Sequence, residues 1–304
     1  MSDYELIQRA LDANAFTTDD TAAGYVNPSY WDSRIIDHVR ANTVGLQFGE
    51  DRSAELSPGG ASLKITLDAE PSAVASIAES TATTVVAWAP TQGTITPVEF
   101  STAYQISDKE IRRAFLSVME RFAANIGYVA ALSVDASIIA TLISGAGNSI
   151  VANSVASTAV ASSDTLDYAD VIAAMKANAI DKYMQQSALI VRPEQAADLM
   201  KDTSFLTADK FGSSAAVFSG FLGKVMGIPV FMTTQSALVS STKAYALLLS
   251  HPKPFAYVFH AGPGPVMHTD YDVLGRFWTV QGAVDFGCAV VRANSICKIY
   301  TYCA

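Results

Sequence analysis

The residues best suited to chemistry are four histidines and a short acidic run near the end of the chain. The histidines are His38, His251, His260 and His268. No two of them are three or four residues apart, the spacing at which a helix presents two ligands to zinc, so a zinc site is poorly supported. Asp270 and Asp272 follow His268 and could form half of a metal or acid–base site, but alternate carboxylates are also typical of an exposed turn. We therefore expect these histidines to lie at the surface or in the core.

Sequence motifs for nucleophiles and phosphate sites are also missing. No serine stands in a G-x-S-x-G motif, and no cysteine has a histidine nearby in sequence. The run Gly262-Pro263-Gly264-Pro265 is a poor phosphate cradle because proline has no N–H to donate. Residues 220–224 are followed by valine where a phosphate-binding loop needs serine or threonine. We predict a protein that is not an enzyme and that needs neither a cofactor nor a metal.

Composition favours association with other copies of the chain. The 304 residues include only 16% charged and 50% hydrophobic residues, so few charges are available to keep a lone particle soluble. The alternative is a monomer with one large core. The net charge of −9 argues against a nucleic-acid binder of the basic type, which needs clustered Lys and Arg. A container wall that does not adhere to nucleic acid remains compatible with this charge.

Cysteine usage and hydropathy predict a chain that is neither secreted nor membrane-bound. Cys288, Cys297 and Cys303 are odd in number and have no C-x-x-C spacing, so they are expected to be buried apolar residues in a reducing compartment. The N-terminus has no signal peptide. The most apolar window, 125–143, contains Asp135, which would cost about 2.5–3.5 kcal/mol in a bilayer. We expect a packed helix there, with no membrane.

The elements that would position any site are clearest between residues 63 and 145. Leu63, Ile65 and Leu67 alternate with polar residues, as expected of a half-buried strand. A second alternating strand runs from Val98 to Ile106 and leads into a helix capped at Ser107-Asp108-Lys109-Glu110. A helix of about 28 residues follows. Its expected apolar stripe is Val118, Phe122, Ile126, Val129, Leu132, Ala136, Ile139 and Ile143.

Shorter elements are expected in the second half. Asp164 or Thr165 should cap a third helix, with an apolar face formed by Tyr168, Ile172, Met175 and Ala179. A buried strand, 188–191, precedes a helix that begins at Pro193. Further strands are expected at 225–232, where Pro229 implies an edge or a strand start, and at 244–249. The last fifty residues alternate and predict antiparallel strands rather than βαβ units.

In their order, these elements resemble the HK97-like major capsid proteins of tailed viruses of bacteria and archaea. Three weak motifs support the resemblance: Ala78-Glu79-Ser80, the run Ile106-Ser107-Asp108-Lys109-Glu110, and the G-x-P-V run from Gly227 to Val230. The resemblance covers most of the chain. It implies an α+β fold with five parts: an N-terminal arm (1–49), an E-loop (50–97), a peripheral P domain with the spine helix (98–144), an axial A domain (145–254), and a return to the P-domain sheet (255–304).

The resemblance also implies a function and partners. It implies a virion protein, assembled in the host cytoplasm, whose pentamers and hexamers close into an icosahedral shell around double-stranded DNA without sequence-specific binding. Portal and decoration proteins are further expected partners. The chain has no room for the N-terminal scaffolding extension of some members, so a separate scaffolding protein is expected. The expected inter-subunit contacts are Lys64, Glu79, Trp88 and Trp31.

Several alternatives stay open at this point. An encapsulin-type compartment subunit would have the same fold and would enclose protein cargo. An enzyme of unrecognised family, using Asp270 and Asp272, or a trimeric receptor-binding or tail-tube protein would assemble differently. Some HK97-like proteins form a lysine–asparagine crosslink between subunits, and Lys64 with Asn294 is the pair to consider. An exposed Lys64 without a crosslink is the favoured interpretation.

Overall fold

Strand β13 (Phe277–Val290) is the centre of a five-stranded sheet in the computed structural model. The structure describes residues 44–56, 60–67, 87, 90–113, 118–201, 224–260 and 266–302. All of them belong to one compact unit, formed by residues 40–113 and 117–304. The sheet strands around β13 are β1 (Glu50–Asp51), β4 (Val98–Ser107), β11 (Phe255–Phe259) and β12 (Val266–Asp272). β4 pairs antiparallel along one edge of β13, β12 and β11 pair antiparallel along its other edge, and β1 runs parallel to β11.

A second sheet has seven strands in the order β5-β14-β10-β6-β8-β7, with β9 beside β10. Its strands are β5 (Asn148–Val151), β6 (Gln186–Val191), β7 (Lys224–Val225), β8 (Ile228–Met232), β9 (Val239–Ser240), β10 (Lys243–Ser250) and β14 (Ile296–Tyr302). The pairs β5–β14 and β6–β8 are parallel, and the other pairs are antiparallel. A separate antiparallel pair is formed by β2 (Leu63–Leu67) and β3 (Thr91–Ile95).

The described helices are α1 (Ser53–Leu56), α2 (Asp108–Arg113), α3 (Val118–Gly145), α4 (Tyr168–Ile180) and α5 (Pro193–Lys201). Short 3-10 turns occupy Gly45–Phe48, Ala152–Ser154, Ser236–Leu238 and Ala293–Ser295. The predicted cap of α2 is confirmed, because Ser107 and Glu110 exchange backbone and side-chain hydrogen bonds. The predicted long helix is also confirmed: α3 has 28 residues, which span about 42 Å.

The predicted buried face of α3 is only partly right. Ile126 and Ile139 are fully buried, but the continuous buried row advances four residues at a time. It consists of Ile126, Ala130, Val134, Ile138 and Leu142. Apolar residues occur all around this helix, so its periodicity could not identify the face that packs. This row joins the two sheets, because its core cluster also contains Phe286 of the five-stranded sheet and Leu247 of the seven-stranded sheet.

The prediction for α4 was wrong in its cap and partly right in its buried face, where Tyr168 and Met175 pack against the core. The N-cap is Asp167, which forms a reciprocal capping box with Asp170. Ile172, predicted to be buried, is exposed. The face that packs contains Asp170, Val171, Ala174 and Asn178. Two of these residues are polar and are satisfied by hydrogen bonds, so a search for apolar spacing missed them.

Residues 225–232 form two strands where one was predicted. Met226 and Gly227 both have positive φ, 51° and 82°, and make the tight turn between β7 and β8. Glycine suits the second of these positions because it has no Cβ. Pro229 is the second residue of β8, in agreement with the expected strand start. β8 also pairs parallel to β6, with α5 between them in sequence, so the second sheet contains one βαβ connection.

The antiparallel strands predicted in the last fifty residues are confirmed for β11 and β13, which pair with each other. The last strand, β14, instead joins the seven-stranded sheet beside β10 and β5. The strands of residues 255–290 thus belong to the five-stranded sheet and those of 296–302 to the seven-stranded sheet. The expected return of residues 255–304 to a P-domain sheet stays a prediction. Residues 266–272, predicted as an exposed turn, form strand β12.

Candidate assembly interface

Of the four residues expected to make inter-subunit contacts, only Lys64 lies within the described residues. It is exposed on β2, opposite Thr94 of β3. Trp31, Glu79 and Trp88 lie outside the described residues. Asn294, the other half of the candidate crosslink, is also exposed, and its carbonyl accepts a hydrogen bond from Asn148. The crosslink itself stays a prediction.

The β2–β3 hairpin has one packed face and one free face. Ile95 is fully buried with Val258, and Leu63 and Ile65 pack against the same cluster. The opposite face carries exposed polar side chains: Lys64, Thr66, Gln92 and Thr94. At the base of the hairpin, Leu67, Gly93 and Val290 help to line an apolar cavity of about 130 Å³. The hairpin is thus held at its base on the five-stranded sheet while its polar face stays open.

The β12–β13 hairpin is the most exposed part of the five-stranded sheet. Six of the seven residues of β12 are exposed, and only Tyr271 is half-buried. At the turn, Val273 is 72% exposed and Leu274 is 96% exposed. Two large apolar side chains at the tip of a hairpin are costly in a free subunit and suit a contact with another protein surface. No apolar signal in the sequence marked β12, because six of its seven residues are exposed.

Exposed apolar side chains also flank the seven-stranded sheet. Ile172, Ile180 and Met184 lie on and just after α4, while Met226 and Met232 lie on the β7–β8 side. α4 packs near β5 and β14, at the end of the sheet opposite β7. Contacts between different surfaces of successive copies form rings when the rotation between copies closes. The two sets therefore provide exposed apolar surface at both ends of one sheet.

Asp135 connects three segments within the subunit. Its side chain is only 1% exposed in the middle of α3. Its Oδ1 accepts hydrogen bonds from the backbone N–H groups of Val44 (3.1 Å) and Gly45 (2.6 Å). A Cβ on Gly45 would lie 2.9 Å from that oxygen, so the close approach requires glycine. Among the described residues, Asp135 Oδ2 is the one buried side-chain oxygen or nitrogen without a partner.

The third segment at Asp135 is the turn that contains Gln235. The Gln235 side chain donates a hydrogen bond to the Leu132 carbonyl of α3 (3.1 Å), and the Gln235 backbone carbonyl accepts one from the Arg192 side chain (3.2 Å). Burial raises the pKa of Asp135, while hydrogen bonds from Gly45, Gln235 and Val44 act in the opposite direction. The carboxylate thus fixes the backbone at residues 44–45 to the spine helix beside the second sheet.

The acidic residues near α4 have structural partners. Asp164 accepts hydrogen bonds from the Ala161 N–H (2.8 Å) and from Asn153 (3.1 Å). Asp170 and Asp167 cap α4, and burial together with the neighbouring Asp167 carboxylate raises the pKa of Asp170 to about 6. Within the ranges that the structure describes, no group of three His, Cys, Asp or Glu residues could hold a metal ion.

The cysteines and histidines of the described residues do not form a nucleophilic site. Cys297 is buried, and burial raises the pKa of its thiol to about 12. Cys288 is half-buried and donates to Thr141 Oγ1 (3.3 Å), and burial raises its pKa as well. His260 lies 3.8 Å from Asp285 at the surface. Thiols that stay protonated are poor nucleophiles, as the sequence led us to expect for buried cysteines.

Among the described residues, one segment of α3, Arg121–Gly145, is long and apolar enough to cross a membrane, with a mean hydropathy of 1.9. Core helices of water-soluble proteins meet the same criterion. Here the helix contains a buried carboxylate at Asp135, and its row of buried side chains packs into the core between two sheets. These contacts account for its apolar composition.

Comparison with known proteins identifies the architecture. A family model described as phage capsid protein matches residues 90–299. No curated protein matches the sequence. Among solved structures, a chain from Mycobacterium phage Che8 is similar at a TM-score of 0.69 and 18% identity, over 90% of this chain and 96% of that one.

Two further solved structures show the same fold. The capsid structure of cyanophage P-SCSP1u matches at a TM-score of 0.71 and 15% identity, over 91% of this chain and 94% of that one. The capsid of a native GTA particle, computed with C5 symmetry, matches at a TM-score of 0.71 and 15% identity, over 95% of this chain and 99% of that one. The α+β fold is therefore HK97-like, and the family is structural rather than enzymatic. Because the family model covers more than half of its length, the chain belongs to the phage capsid protein family.

Proposed function

We propose that copies of this chain assemble as pentamers and hexamers into an icosahedral shell that encloses double-stranded DNA. The observation that carries the proposal is the similarity of this chain's fold, over more than 90% of its length, to chains of solved capsid structures. One of those similar chains comes from a particle computed with C5 symmetry, which supports a five-fold assembly for the proposal.

The surfaces of the subunit support a role as a shell component. The polar face of the β2–β3 hairpin is free to lie on a neighbour, and exposed apolar side chains occur at both ends of the seven-stranded sheet. Interfaces between permanently assembled subunits commonly exceed about 2,000 Å². The net charge of −9 suits a wall that must not adhere to packaged DNA.

The five parts expected from the resemblance are retained as part of this proposal. Residues 1–49 serve as the arm, 50–97 as the E-loop, 98–144 as the P domain with the spine helix, 145–254 as the A domain, and 255–304 as the return to the P-domain sheet. The subunit is assembled in the host cytoplasm with a separate scaffolding protein, and the portal and decoration proteins join the same shell. Lys64, Glu79, Trp88 and Trp31 remain the proposed inter-subunit contacts of the E-loop and arm.

Shortening the E-loop tests the proposal. We would delete residues 68–82, which lie between β2 and β3, and compare the variant with the wild-type chain. The deletion should abolish closed shells while the subunit keeps its thermal unfolding transition, because the base of the hairpin is held by Ile65, Ile95 and Val258. Electron microscopy and calorimetry give the two readouts. A variant that still forms complete shells would contradict the role assigned to the E-loop.

Nuclease protection tests the contents of the shell. Particles isolated from infected cells should protect double-stranded DNA from added nuclease, and empty particles made from the subunit alone should contain none. Particles that enclose protein cargo and no DNA would replace the proposal with a compartment of the encapsulin type.

A further inference from the structure

Strand β12 leaves one edge of the five-stranded sheet open. Its other edge pairs with β13 from Val266 to Asp272, and no described strand pairs with its outer edge. Natural proteins usually protect such edges with lysine, proline or a bulge, since an unpaired strand is a template for another chain. β12 contains no lysine or proline, and its register with β13 is unbroken.

The backbone groups that face outward can be identified. The N–H of Tyr271 donates to the Asp270 side chain (2.9 Å), so it points away from β13. Because successive residues of an antiparallel strand alternate in hydrogen-bonding direction, Met267 and Thr269 face outward with Tyr271. The outer edge therefore presents the N–H groups of Met267 and Thr269 and three carbonyl groups, while the Tyr271 N–H would join the pairing by leaving the Asp270 side chain.

We propose that β12 pairs antiparallel with β12 of a second copy of this chain, about a two-fold axis at Thr269. This register places His268 opposite Asp270 of the other copy, and the symmetry repeats the pair. It also places Met267 opposite Tyr271, so that apolar side chains meet on the other face of the sheet. A ring N–H of histidine can donate to the carboxylate directly across the pair, and apolar groups that meet across an antiparallel pair stabilise it.

Neighbouring registers are less favourable. An axis at Asp270 would place two aspartates directly opposite each other, and like charges in that position destabilise a pair. An axis at His268 would place Asp270 opposite Val266 and leave the carboxylate without a partner. In the proposed register Asp272 lies opposite Val266, where its Oδ1 accepts from the N–H groups of Leu274 (2.9 Å) and Gly275 (3.1 Å) in the turn. Asp270 Oδ1 likewise accepts from the Tyr271 N–H (2.9 Å), which leaves Oδ2 for His268 of the other copy.

The pairing deepens the proposed function and rests on it, because a closed shell supplies the two-fold axes. A two-fold contact is formed by the same surface on both copies, which a self-complementary strand satisfies. Pairing extends the five-stranded sheet of one copy into that of the next, with the axis perpendicular to the sheet. We therefore infer that β12 joins subunits of different capsomers.

Cysteine crosslinking tests the register. Thr269→Cys places two thiols opposite each other across a hydrogen-bonded pair, where Cα atoms lie about 5.5 Å apart, within the range of about 4.4–6.8 Å that a disulfide needs. Assembled particles of this variant should give disulfide-linked dimers, with the crosslinked peptide identified by mass spectrometry. Gln281→Cys, exposed on β13 one strand inward, is the matched control and should stay uncrosslinked.

Charge exchange tests the side-chain pair. His268→Glu and Asp270→Lys should each reduce the yield of shells at least tenfold, while the double variant, which restores opposite charges, should recover to within twofold of wild type. Both side chains are exposed, and thermal unfolding checks that each variant is folded. Gln105→Lys, on the same face at the opposite edge of the sheet, should assemble normally.

The outcomes separate this inference from the proposed function. Thr269→Cys particles that assemble without forming the disulfide would overturn the β12 pairing and leave the proposed shell intact. Single charge variants that assemble as well as wild type would have the same meaning. A wild-type chain that forms no shell, alone or with its scaffolding protein, would overturn both.

Discussion

Replacing Asp135 with alanine should destabilise the subunit by about 2–4 kcal/mol. The change removes the acceptor of two buried N–H groups, those of Val44 and Gly45, and each unsatisfied amide costs about 1–3 kcal/mol. Part of this cost is offset, because the wild-type subunit buries a carboxylate whose Oδ2 has no partner.

Asp135→Asn separates the amide contacts from the charge. Asparagine keeps an oxygen in the position of Oδ1 and removes the buried charge, so we expect a stability within about 1 kcal/mol of wild type. Ser133→Ala is the control on the same helix. Ser133 donates only to the Val129 carbonyl of its own helix, and the control should lie within about 0.5 kcal/mol of wild type.

The direction of the Asp135 pKa shift determines how its contribution to the free energy of unfolding changes with pH. Burial raises the pKa of Asp135 in the folded state, so the folded state holds the proton more tightly than the unfolded state. Protonated Asp135 contributes its full stabilisation to the free energy of unfolding below the ordinary aspartate pKa of about 3.9. This contribution declines as the pH rises toward the pKa of Asp135 in the folded state. The advantage of wild type over Asp135→Ala should therefore narrow between pH 4.5 and 7.5.

Urea unfolding of unassembled subunits, followed by tryptophan fluorescence at several pH values, measures these free energies. Asp135→Ala within 0.5 kcal/mol of wild type at pH 4.5 would refute the role of the two amides. A wild-type advantage over Asp135→Asn that grows with pH would refute the direction of the pKa shift.

Two further predictions concern packing and a second titrating group. Gly282→Ala should lower the free energy of unfolding by about 1–3 kcal/mol in the same assay, because the new Cβ would lie 2.3 Å from the Ile126 side chain. The control Gln281→Ala, on the exposed face of the same strand, should leave the free energy of unfolding unchanged. Near pH 4, Asp170→Asn should have the same free energy of unfolding as wild type. At pH 7.5 the variant should be more stable than wild type by at most about 3 kcal/mol, because burial and the Asp167 charge raise the Asp170 pKa to about 6. Equal pH profiles for Asp170→Asn and wild type would contradict that assignment.

The elements best predicted from sequence are those whose signals are local. β4 alternates along its length, and α2 begins with a capping box that needs only Ser107 and Glu110. The spine helix is long and contains no proline, so its existence followed directly. Its buried face did not, because apolar residues surround it and only the packing of two sheets selects the row through Ile138.

The parts that sequence reasoning missed depend on long-range contacts. β12 is defined by its pairing with β13, and its exposed residues give no apolar signal. Asp135 was recognised as a charge within an apolar helix, but its partners are about ninety residues away in sequence. The cap of α4 was misplaced by a few residues because Asp164 and Asp167 are both suitable caps, and Asp164 instead holds the preceding loop.

The central claim is that this chain builds a closed shell, and its assembly state tests that most directly. We would express the full chain alone and together with the scaffolding protein of its virus, and analyse both samples by size-exclusion chromatography and negative-stain electron microscopy. The account predicts closed icosahedral particles, or rings of five and six subunits, in at least one sample. A monomer or small discrete oligomer in both samples would contradict it.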